Sequence, residues 1–214
     1  DHAEEGFGDA LSEATVTVEV RLGAAGEVGM DGAVGFWRLG EELAATKARD
    51  AGLKGNAGTY VGSPVLEIAG AVNDGGTAVR LDGVDDYVSI GDPANGSVDF
   101  GLGDMTLECW VKLDAALAAD AYLVAKGGSG ATAGYHLVYE FATSTLRFAI
   151  NDGTVSASHS TVKGLGASWH HVVGVRDGTT LRLYLDGRER GHGTSAASVG
   201  SIDTAAALEL GRLG

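Results

Sequence analysis

The sequence predicts an all-β protein in which antiparallel strands form a two-sheet sandwich or jelly roll. Apolar and polar residues alternate with a period of two over most of the chain, as at Leu181, Leu183 and Leu185, which is typical of strands with one buried face. Asp-Gly and Asn-Gly pairs, which tolerate the positive φ angles of tight hairpins, lie between the alternating segments. Only residues 41–49 have a composition that favours a short helix, with acidic residues first and basic residues last. Many short strands with one minor helix indicate a sandwich.

Composition and charge narrow the functional classes. Glycine contributes 35 of the 214 residues and proline only 2, so collagen and proline-rich disorder are excluded and glycine is expected in turns. No apolar run approaches the roughly 18 residues of a membrane-spanning helix. The formal net charge of -14 repels phosphate backbones and anionic lipids. We therefore expect no nucleic-acid partner and no membrane insertion, whereas calcium is compatible with this charge.

Residues 1–32 are predicted to form a separate N-terminal part of the chain. A strand-like segment at 14–22 is followed by a glycine-rich link from Gly23 to Gly32. The segment is either a leading strand of the same sandwich or the end of a preceding domain, and the flexible link favours the second interpretation. Residues 33–214 then form the main domain.

The alternating apolar sets identify the strands that should face the core. Cys109, the only cysteine, belongs to one of them, so an intrachain disulfide is excluded and the thiol is expected to be buried. Besides the leucine set above, the predicted core-facing sets are Val16, Val18, Val20 and Leu22; Leu107, Cys109, Val111 and Leu113; Tyr135, Leu137, Tyr139 and Phe141; and Leu146, Phe148 and Ile150.

Five blocks of sequence occur in a characteristic order. They are GFWRLGE at 35–41, AVRLDGVDDYVSI at 78–90, MTLECWVK at 105–112, WHHVVGVRDG at 169–178 and LYLDG at 183–187. Together they closely resemble the laminin-G-like domains of the concanavalin A-like lectin/glucanase superfamily, over about residues 33–214. The resemblance implies a jelly roll of two packed antiparallel sheets, in agreement with the residue pattern.

The resemblance also implies a closing strand that would follow residues 208–211, whereas the sequence ends at Gly214. The leading strand 33–39 is therefore expected to lack its usual neighbour. An uncovered strand edge exposes unpaired backbone groups, so something must cover it. The candidates are further residues of the same polypeptide, a strand from segment 14–22, or a strand from a neighbouring subunit.

No catalytic residues are predicted. A retaining glucanase needs two carboxyl groups roughly 5 Å apart, and no run of acidic residues at alternate positions provides them. Glu108 shares its strand face with Thr106, Trp110 and Lys112, so it lacks a second carboxylate.

Calcium is the one cofactor that the sequence supports. The resemblance aligns Asp50 with an acidic position that helps to hold a structural Ca²⁺ in similar domains, so Asp50 is the predicted metal ligand. Asp85 and Asp86, near Asp82 and Asp92, also offer carboxylate oxygens, but their block resembles turn-and-strand scaffolding.

Ligand-binding residues are not assigned individually. Trp37, Trp110 and Trp169 lie in framework blocks, so packing inside the sandwich is expected to occupy them rather than stacking on sugars. A ligand site is expected in the loops, which are rich in small polar residues. These loops are 91–104, 126–134, 152–168 and 188–204.

The leading functional interpretation is a non-catalytic recognition module that binds a glycan or a protein through these loops. It would be part of a larger extracellular, cell-surface or virion-surface protein, with other domains of the same polypeptide or neighbouring subunits as further partners. The alternative is a structural decoration or assembly domain of a surface appendage or of a phage tail or capsid. A glucanase-type hydrolase is the third possibility, since the fold alone does not fix function.

Overall fold

A computed structural model describes residues 16–19, 33–71, 75–113, 117–162, 164–191 and 193–214, with only the backbone at 16–19. The described residues contain strands and no helix. The strands are β1 (Val16–Glu19), β2 (Lys47–Ala48), β3 (Gly58–Val61), β4 (Val65–Ala69), β5 (Thr77–Leu81), β6 (Tyr87–Gly91), β7 (Met105–Leu113), β8 (Ala121–Gly127), β9 (Gly134–Glu140), β10 (Thr145–Asn151), β11 (Ser156–Val162), β12 (His170–Asp177), β13 (Thr180–Leu185), β14 (Arg188–Glu189), β15 (Thr194–Ser195) and β16 (Leu208–Leu210). The described residues therefore include no helix that is long and apolar enough to cross a membrane.

The strands form two antiparallel sheets that enclose one core. Sheet I has the order β14-β13-β12-β7-β1-β5-β4, and β15 pairs with β13. Sheet II has the order β11-β10-β9-β8-β16-β6-β3-β2. The predicted all-β, two-sheet antiparallel sandwich is confirmed.

The core has the side chains that the period-two pattern predicts. Along β7 every second residue from Met105 to Leu113 is buried, and Cys109 is completely inaccessible. Each fully buried Leu, Ile or Phe contributes roughly 1.5–3 kcal/mol of hydrophobic free energy. Phe141 departs from the prediction: it lies in the turn after β9, and its side chain is 45% exposed. Confirmed core residues from the other predicted sets are Tyr135, Leu137, Tyr139, Leu146, Phe148, Ile150, Leu181, Leu183 and Leu185.

The predicted short helix at 41–49 is wrong. Ala44 has φ 68°, a left-handed conformation that a helix does not contain. Lys47 then begins β2, whose Ala48 is completely buried against the core. Burial of Ala48 and pairing with β3 therefore outweigh the modest helix propensity of the segment.

Strand β1 connects the two halves of sheet I. It pairs antiparallel with β5 on one side and with β7 on the other. The predicted cover of residues 33–39 by segment 14–22 is wrong, because β1 lies between β5 and β7 and does not pair with residues 33–39. Residues 33–39 contribute only an isolated bridge between Trp37 and Asp50. Strand β1 is thus part of this sandwich, and the favoured interpretation of segment 14–22 as the end of a preceding domain is wrong. The predicted link at 23–32 lies outside the described residues.

The tryptophans occupy two environments. Trp37 is 6% exposed in the core, as predicted. Trp110, expected inside the sandwich, is half-buried on the outward face of sheet I, where its ring lies 5.0 Å from that of His171. Trp169 is also half-buried. Strand alternation explains Trp110, because its neighbours Cys109 and Val111 take the core-facing positions.

Candidate functional site

One row of residues crosses the outward face of sheet II from edge to edge. The pairing registers place one residue from each strand directly opposite the next, over roughly 34 Å at the usual strand spacing of about 4.8 Å. The row consists of Lys47, Thr59, Ser89, Glu209, Ala125, His136, Ala149 and Ser158. The adjacent positions along these strands, such as Leu137 next to His136, face the core.

The centre of this row is buried although it faces away from the core. His136 is 2% exposed, and its neighbours Ala125 and Ala149 are also buried. On the outward face of sheet I, by contrast, residues of β12 and β13 such as Val175 and Arg182 are only half-buried. The centre of the row therefore holds His136 in a low-dielectric environment, where hydrogen bonds and charges act most strongly.

His136 is a buried polar group near the centre of the row. Neither ring nitrogen has a hydrogen-bond partner among the described residues. The ring of Tyr122 packs edge-on at 5.5 Å between centroids. Burial, and secondarily the charge of Arg147, lowers the pKa of His136 to about 4, against smaller opposing effects of the Gly127 backbone and of Glu140, so the imidazole is neutral at physiological pH.

Glu209 lies two strands from His136 in the same row and is 6% exposed. Its Oε2 accepts no hydrogen bond from the described residues, and its ion-pair partner Arg212 is 3.8 Å away. Burial raises the pKa of Glu209, and the charge of Arg212 offsets this only in part. A buried acceptor without a hydrogen-bond partner lowers the free energy of unfolding by about 1–3 kcal/mol, so Oε2 of Glu209 is available to accept a hydrogen bond from a ligand.

Polar and aromatic side chains flank His136 on the same face. Arg147 Nε lies 2.7 Å from Glu140 Oε1, and the hydroxyl of Thr145 donates to Glu140 Oε2 at 3.0 Å. Tyr122 is half-buried beside them. An aromatic edge, a neutral imidazole and a carboxylate are suited to contact a ligand that carries both hydroxyl groups and apolar ring faces.

Several of the loops predicted to bind ligand meet around Lys126. Its ammonium lies 2.8 Å from Asp92 Oδ1 and 3.2 Å from Asp99 Oδ1, and it donates to the carbonyls of Thr204 at 2.6 Å and Ala206 at 2.9 Å. The lysine side chain is completely buried. These polar groups bind one another, so the cluster holds the loops 91–104 and 188–204 and the residues just after them in place.

Asp50, the predicted calcium ligand, organises the segment before β3. Its Oδ1 accepts the backbone N–H groups of Phe36 and Gly52, both at 2.7 Å, and its Oδ2 accepts that of Asn56 at 2.6 Å. The residue is 9% exposed. Since a carboxylate oxygen has two lone pairs, Oδ2 keeps one for another partner.

The carboxylates of Asp82, Asp85 and Asp86 lie within 4.8 Å of one another. Asp82 Oδ1 accepts the backbone N–H groups of Val84, Asp85 and Asp86, as expected of an aspartate that shapes a turn. Asp86 Oδ1 accepts the N–H of Ser63 at 2.6 Å. Two of the three carboxylates therefore serve the backbone, which agrees with the predicted scaffolding role.

Ser168, His170 and Asp186 form a hydrogen-bonded chain that the sequence analysis does not predict. Ser168 Oγ lies 3.1 Å from His170 Nε2, and His170 Nδ1 lies 2.9 Å from Asp186 Oδ2. Asp186 Oδ1 also accepts the backbone N–H of His171 at 3.0 Å. Asp186 thus ties the turn after β13 to β12, and we assign this chain a structural role.

His136 and Glu209 are also absent from the sequence predictions. The sequence does carry a signal for them, since each interrupts an apolar strand: His136 lies between Tyr135 and Leu137, and Glu209 between Leu208 and Leu210. Their burial on the outward face depends on strands far apart in sequence. No local pattern contains that information.

A family model for laminin G-type domains, described as the concanavalin A-like lectin/glucanases superfamily, matches residues 82–213. No curated protein matches the chain. Several solved structures share the fold at low sequence identity.

The receptor-binding domain of botulinum neurotoxin mosaic serotype C/D has a TM-score of 0.59 and 11% identity, with 80% of this chain and 41% of that chain covered. The binding domain of botulinum neurotoxin serotype D has a TM-score of 0.59 and 11% identity, with 88% and 44% covered. The present chain therefore spans less than half of each toxin domain.

Domain 4 of AbnA, a GH43 extracellular arabinanase from Geobacillus stearothermophilus solved in complex with arabinotriose, has a TM-score of 0.54 and 16% identity. The alignment covers 72% of each chain. At these identities the likeness shows the fold alone.

Proposed function

The chain belongs to the laminin G-type family of the concanavalin A-like lectin/glucanases superfamily, and from that premise we propose that it is a non-catalytic module that binds a glycan on the outward face of sheet II. One observation carries the proposal. His136 and Glu209 are more than nine-tenths buried on that face, and neither the ring of His136 nor Oε2 of Glu209 forms a hydrogen bond with another described residue.

Sugar hydroxyl groups suit these two side chains. A hydroxyl both donates and accepts, so it satisfies a carboxylate oxygen and either nitrogen of a neutral imidazole. Tyr122 and the half-buried Arg147 lie next to His136, and movement of these long side chains would admit a ligand to it. The proposal places the ligand on the sheet face rather than in the loops, because the loop groups around Lys126 already bind one another.

Carboxylate spacing supports binding without hydrolysis. On the outward face of sheet II, Glu209 and Glu140 are separated by two strands and by about four residues along the strand, which is roughly 16 Å between backbone positions. Glycosidases hold their carboxyl groups about 5–9.5 Å apart. Glu140 is also paired with Arg147. A glucanase-type hydrolase is therefore the weakest candidate.

The domain solved with arabinotriose belongs to an extracellular arabinanase, which supports a glycan ligand and a location outside the cell or on a particle surface for this chain. We propose that the module is one part of a larger surface protein, with neighbouring domains or subunits as additional partners.

The second candidate function is structural assembly, and β1 favours it. This strand completes sheet I between β5 and β7, and the same position would accept an equivalent strand from another copy of the chain. Light scattering at increasing protein concentration tests this alternative. Concentration-dependent oligomers would support assembly, and a monomer at all concentrations would contradict it.

Calcium at Asp50 stays a prediction. We propose that the free lone pair of Oδ2 is the site of contact for the ion. Thermal unfolding with millimolar calcium and with a chelator tests it. A higher midpoint with calcium that is lost in Asp50→Asn would support the proposal, and identical midpoints would contradict it.

The glycan proposal is tested by isothermal titration calorimetry with arabino-, xylo- and gluco-oligosaccharides. For the oligosaccharide that binds, we expect His136→Phe and Glu209→Gln each to lower the affinity at least about tenfold, or about 1.4 kcal/mol. Glu189→Gln, on an exposed strand of sheet I, is the matched control and should bind normally. Unchanged affinity in both test variants, or no binding of any of these oligosaccharides, would contradict the proposal.

A further inference from the structure

Two arginines lie side by side at the edge of sheet II. The antiparallel bridge between Trp37 and Asp50 makes Arg38 and Arg49 the next residues opposite each other on the two segments. Arg49 follows the buried Ala48, so alternation turns it to the outward face of the sheet. Residues directly opposite have Cβ atoms about 4.5–5.5 Å apart, and like charges at that spacing repel.

Among the described residues, no carboxylate lies within ion-pair distance of either guanidinium. Arg38 and Arg49 are exposed and take part in none of the ion pairs formed among the described residues. Both line a cavity of about 560 Å³ that also includes Glu41. Glu41 Oε1 accepts the backbone N–H of Arg49 at 2.9 Å, and its Oε2 accepts the hydroxyl of Tyr60 at 2.6 Å.

The charge balance of this cavity is unusual for such an acidic protein. Among the described residues that line it, two arginines and one glutamate give a charge of +1, whereas the chain as a whole carries -14. A planar guanidinium binds carboxylate and sulfate groups with two parallel hydrogen bonds. One bound anion would neutralise the lining and relieve the repulsion between Arg38 and Arg49.

We infer that the cavity between Arg38 and Arg49 binds a single anionic group, a carboxylate or a sulfate, carried by an otherwise neutral glycan. The net charge of -14 disfavours a polyanion, so the ligand carries isolated charges. The glycan part of this inference rests on the proposed function, and the anion part does not.

The position of the cavity connects it to the row on sheet II. Lys47 is the first residue of that row, and Arg49 lies two positions further along the same segment. Two residues of extended chain span roughly 7 Å. A glycan that lies along the row would therefore place an acidic group at its end between the two arginines.

Inorganic sulfate tests the anion site without any glycan. Chemical-shift titration at constant ionic strength is expected to show saturable shifts near residues 38–41 and 49–51 in the wild type. We expect affinity for sulfate to fall at least tenfold in Arg38→Gln and in Arg49→Gln. Arg188→Gln, which changes an exposed arginine on β14, is the matched control and should bind sulfate normally.

A structural readout separates the site from general salt effects. Without added anion and at low ionic strength, Arg38→Gln should raise the unfolding midpoint, because it removes a like-charge pair. Sulfate should then raise the midpoint of the wild type more than that of the variant. Equal sulfate shifts in the wild type and both arginine variants would overturn the inference.

An acidic oligosaccharide and its neutral counterpart test the glycan part. Glucuronate-terminated and glucose-terminated trisaccharides are the probes, and the acidic one should bind the wild type at least tenfold more tightly. Arginine-dependent sulfate binding without this preference would overturn the glycan part alone. Binding of the neutral trisaccharide through His136 and Glu209 without sulfate binding would overturn the anion site and leave the proposed function intact.

Discussion

Lys126 Nζ lies 2.8 Å from Asp92 Oδ1 although the lysine side chain is completely inaccessible to solvent. A buried ammonium is tolerated only when it is paired and fully hydrogen-bonded. Asp99 and the carbonyls of Thr204 and Ala206 complete its surroundings. One side chain of β8 thus fixes residues from two loops that are about a hundred positions apart in the sequence.

Replacement of Lys126 by methionine should destabilise the protein by roughly 3–5 kcal/mol, the usual cost of breaking a buried ion pair. The methionine fills similar volume but leaves Asp92 and Asp99 without their counter-charge. Urea unfolding at pH 7 measures the change. Asp99→Asn added to Lys126→Met should recover part of the loss, and a loss below about 1 kcal/mol in the single variant would contradict this account.

Glu209→Gln should stabilise the protein at pH 7 by about 1 kcal/mol, because it removes a buried carboxylate whose Oε2 accepts no hydrogen bond from the described residues. The same change should weaken glycan binding. The pKa of Glu209 is raised above its ordinary value of 4.5 by burial, so the folded protein holds this proton more tightly than the unfolded chain. Stability therefore falls as pH rises from about 4.5 through the folded pKa.

The measurement for Glu209 is the unfolding midpoint of both proteins from pH 3 to pH 8. The gain in Glu209→Gln should be present at pH 7 and disappear below about pH 4, where the carboxyl is protonated in both states. A variant that is less stable than the wild type at pH 7 would indicate that Glu209 stabilises the fold and would argue against its role in binding.

His136 should make the protein sensitive to mild acid. Burial and Arg147 lower its pKa from 6.5 to about 4, so the unfolded chain binds a proton in this window and the folded protein does not. Stability is then lost as pH falls below 6.5, by on the order of 2 kcal/mol at pH 5. His136→Phe should remove this part of the pH dependence.

Chemical denaturation at pH 7 and pH 5 tests the histidine prediction. The wild type should lose more stability than His136→Phe over this interval. Parallel pH profiles for the wild type and His136→Phe would show that His136 titrates as it does in the unfolded chain.

Gly174 of β12 lies directly against the ring of Phe148 of β10, across the interface between the two sheets. A Cβ atom placed there would lie 2.6 Å from Phe148 Cγ, so alanine requires the ring of Phe148 to move. We expect Gly174→Ala to cost about 1–3 kcal/mol in urea unfolding. Gly164→Ala, where the added carbon would meet only the Tyr139 hydroxyl at 3.5 Å, should change stability little. Equal effects of the two substitutions would contradict the packing argument.

The sequence predicts the fold well because its main signal is local. Alternation along β7 and β13 is visible in the residues themselves, and so is the burial of Cys109. The helix prediction at 41–49 fails for the opposite reason, since the burial of Ala48 depends on partners outside the segment. Propensity is a weak guide where tertiary contacts decide.

The candidate site could not be predicted in the same way. Its polar row combines strands from residue 47 to residue 209, and the register of each pairing decides which side chains share a face. A single histidine in an apolar strand has no distinctive pattern before its neighbours are known. The opposition of Arg38 and Arg49 likewise follows from a bridge between residues 13 positions apart.

Strand β1 yields the last prediction, because sheet I is continuous only through it. Val18 lies opposite Val79 of β5 and Val111 of β7, in the middle of the sheet. A proline there removes a backbone donor and is not tolerated in a central strand. We expect Val18→Pro to cost roughly 2–3 kcal/mol in urea unfolding, whereas Val18→Ala, which also shortens the side chain but keeps the amide N–H, should cost less.

A synthetic peptide of residues 14–22 added to the proline variant should restore stability, because it supplies a strand with intact donors to β5 and β7. If proline and alanine have equal effects and the peptide does nothing, the pairing of β1 contributes no stability and sheet I must be held together by its contacts with sheet II.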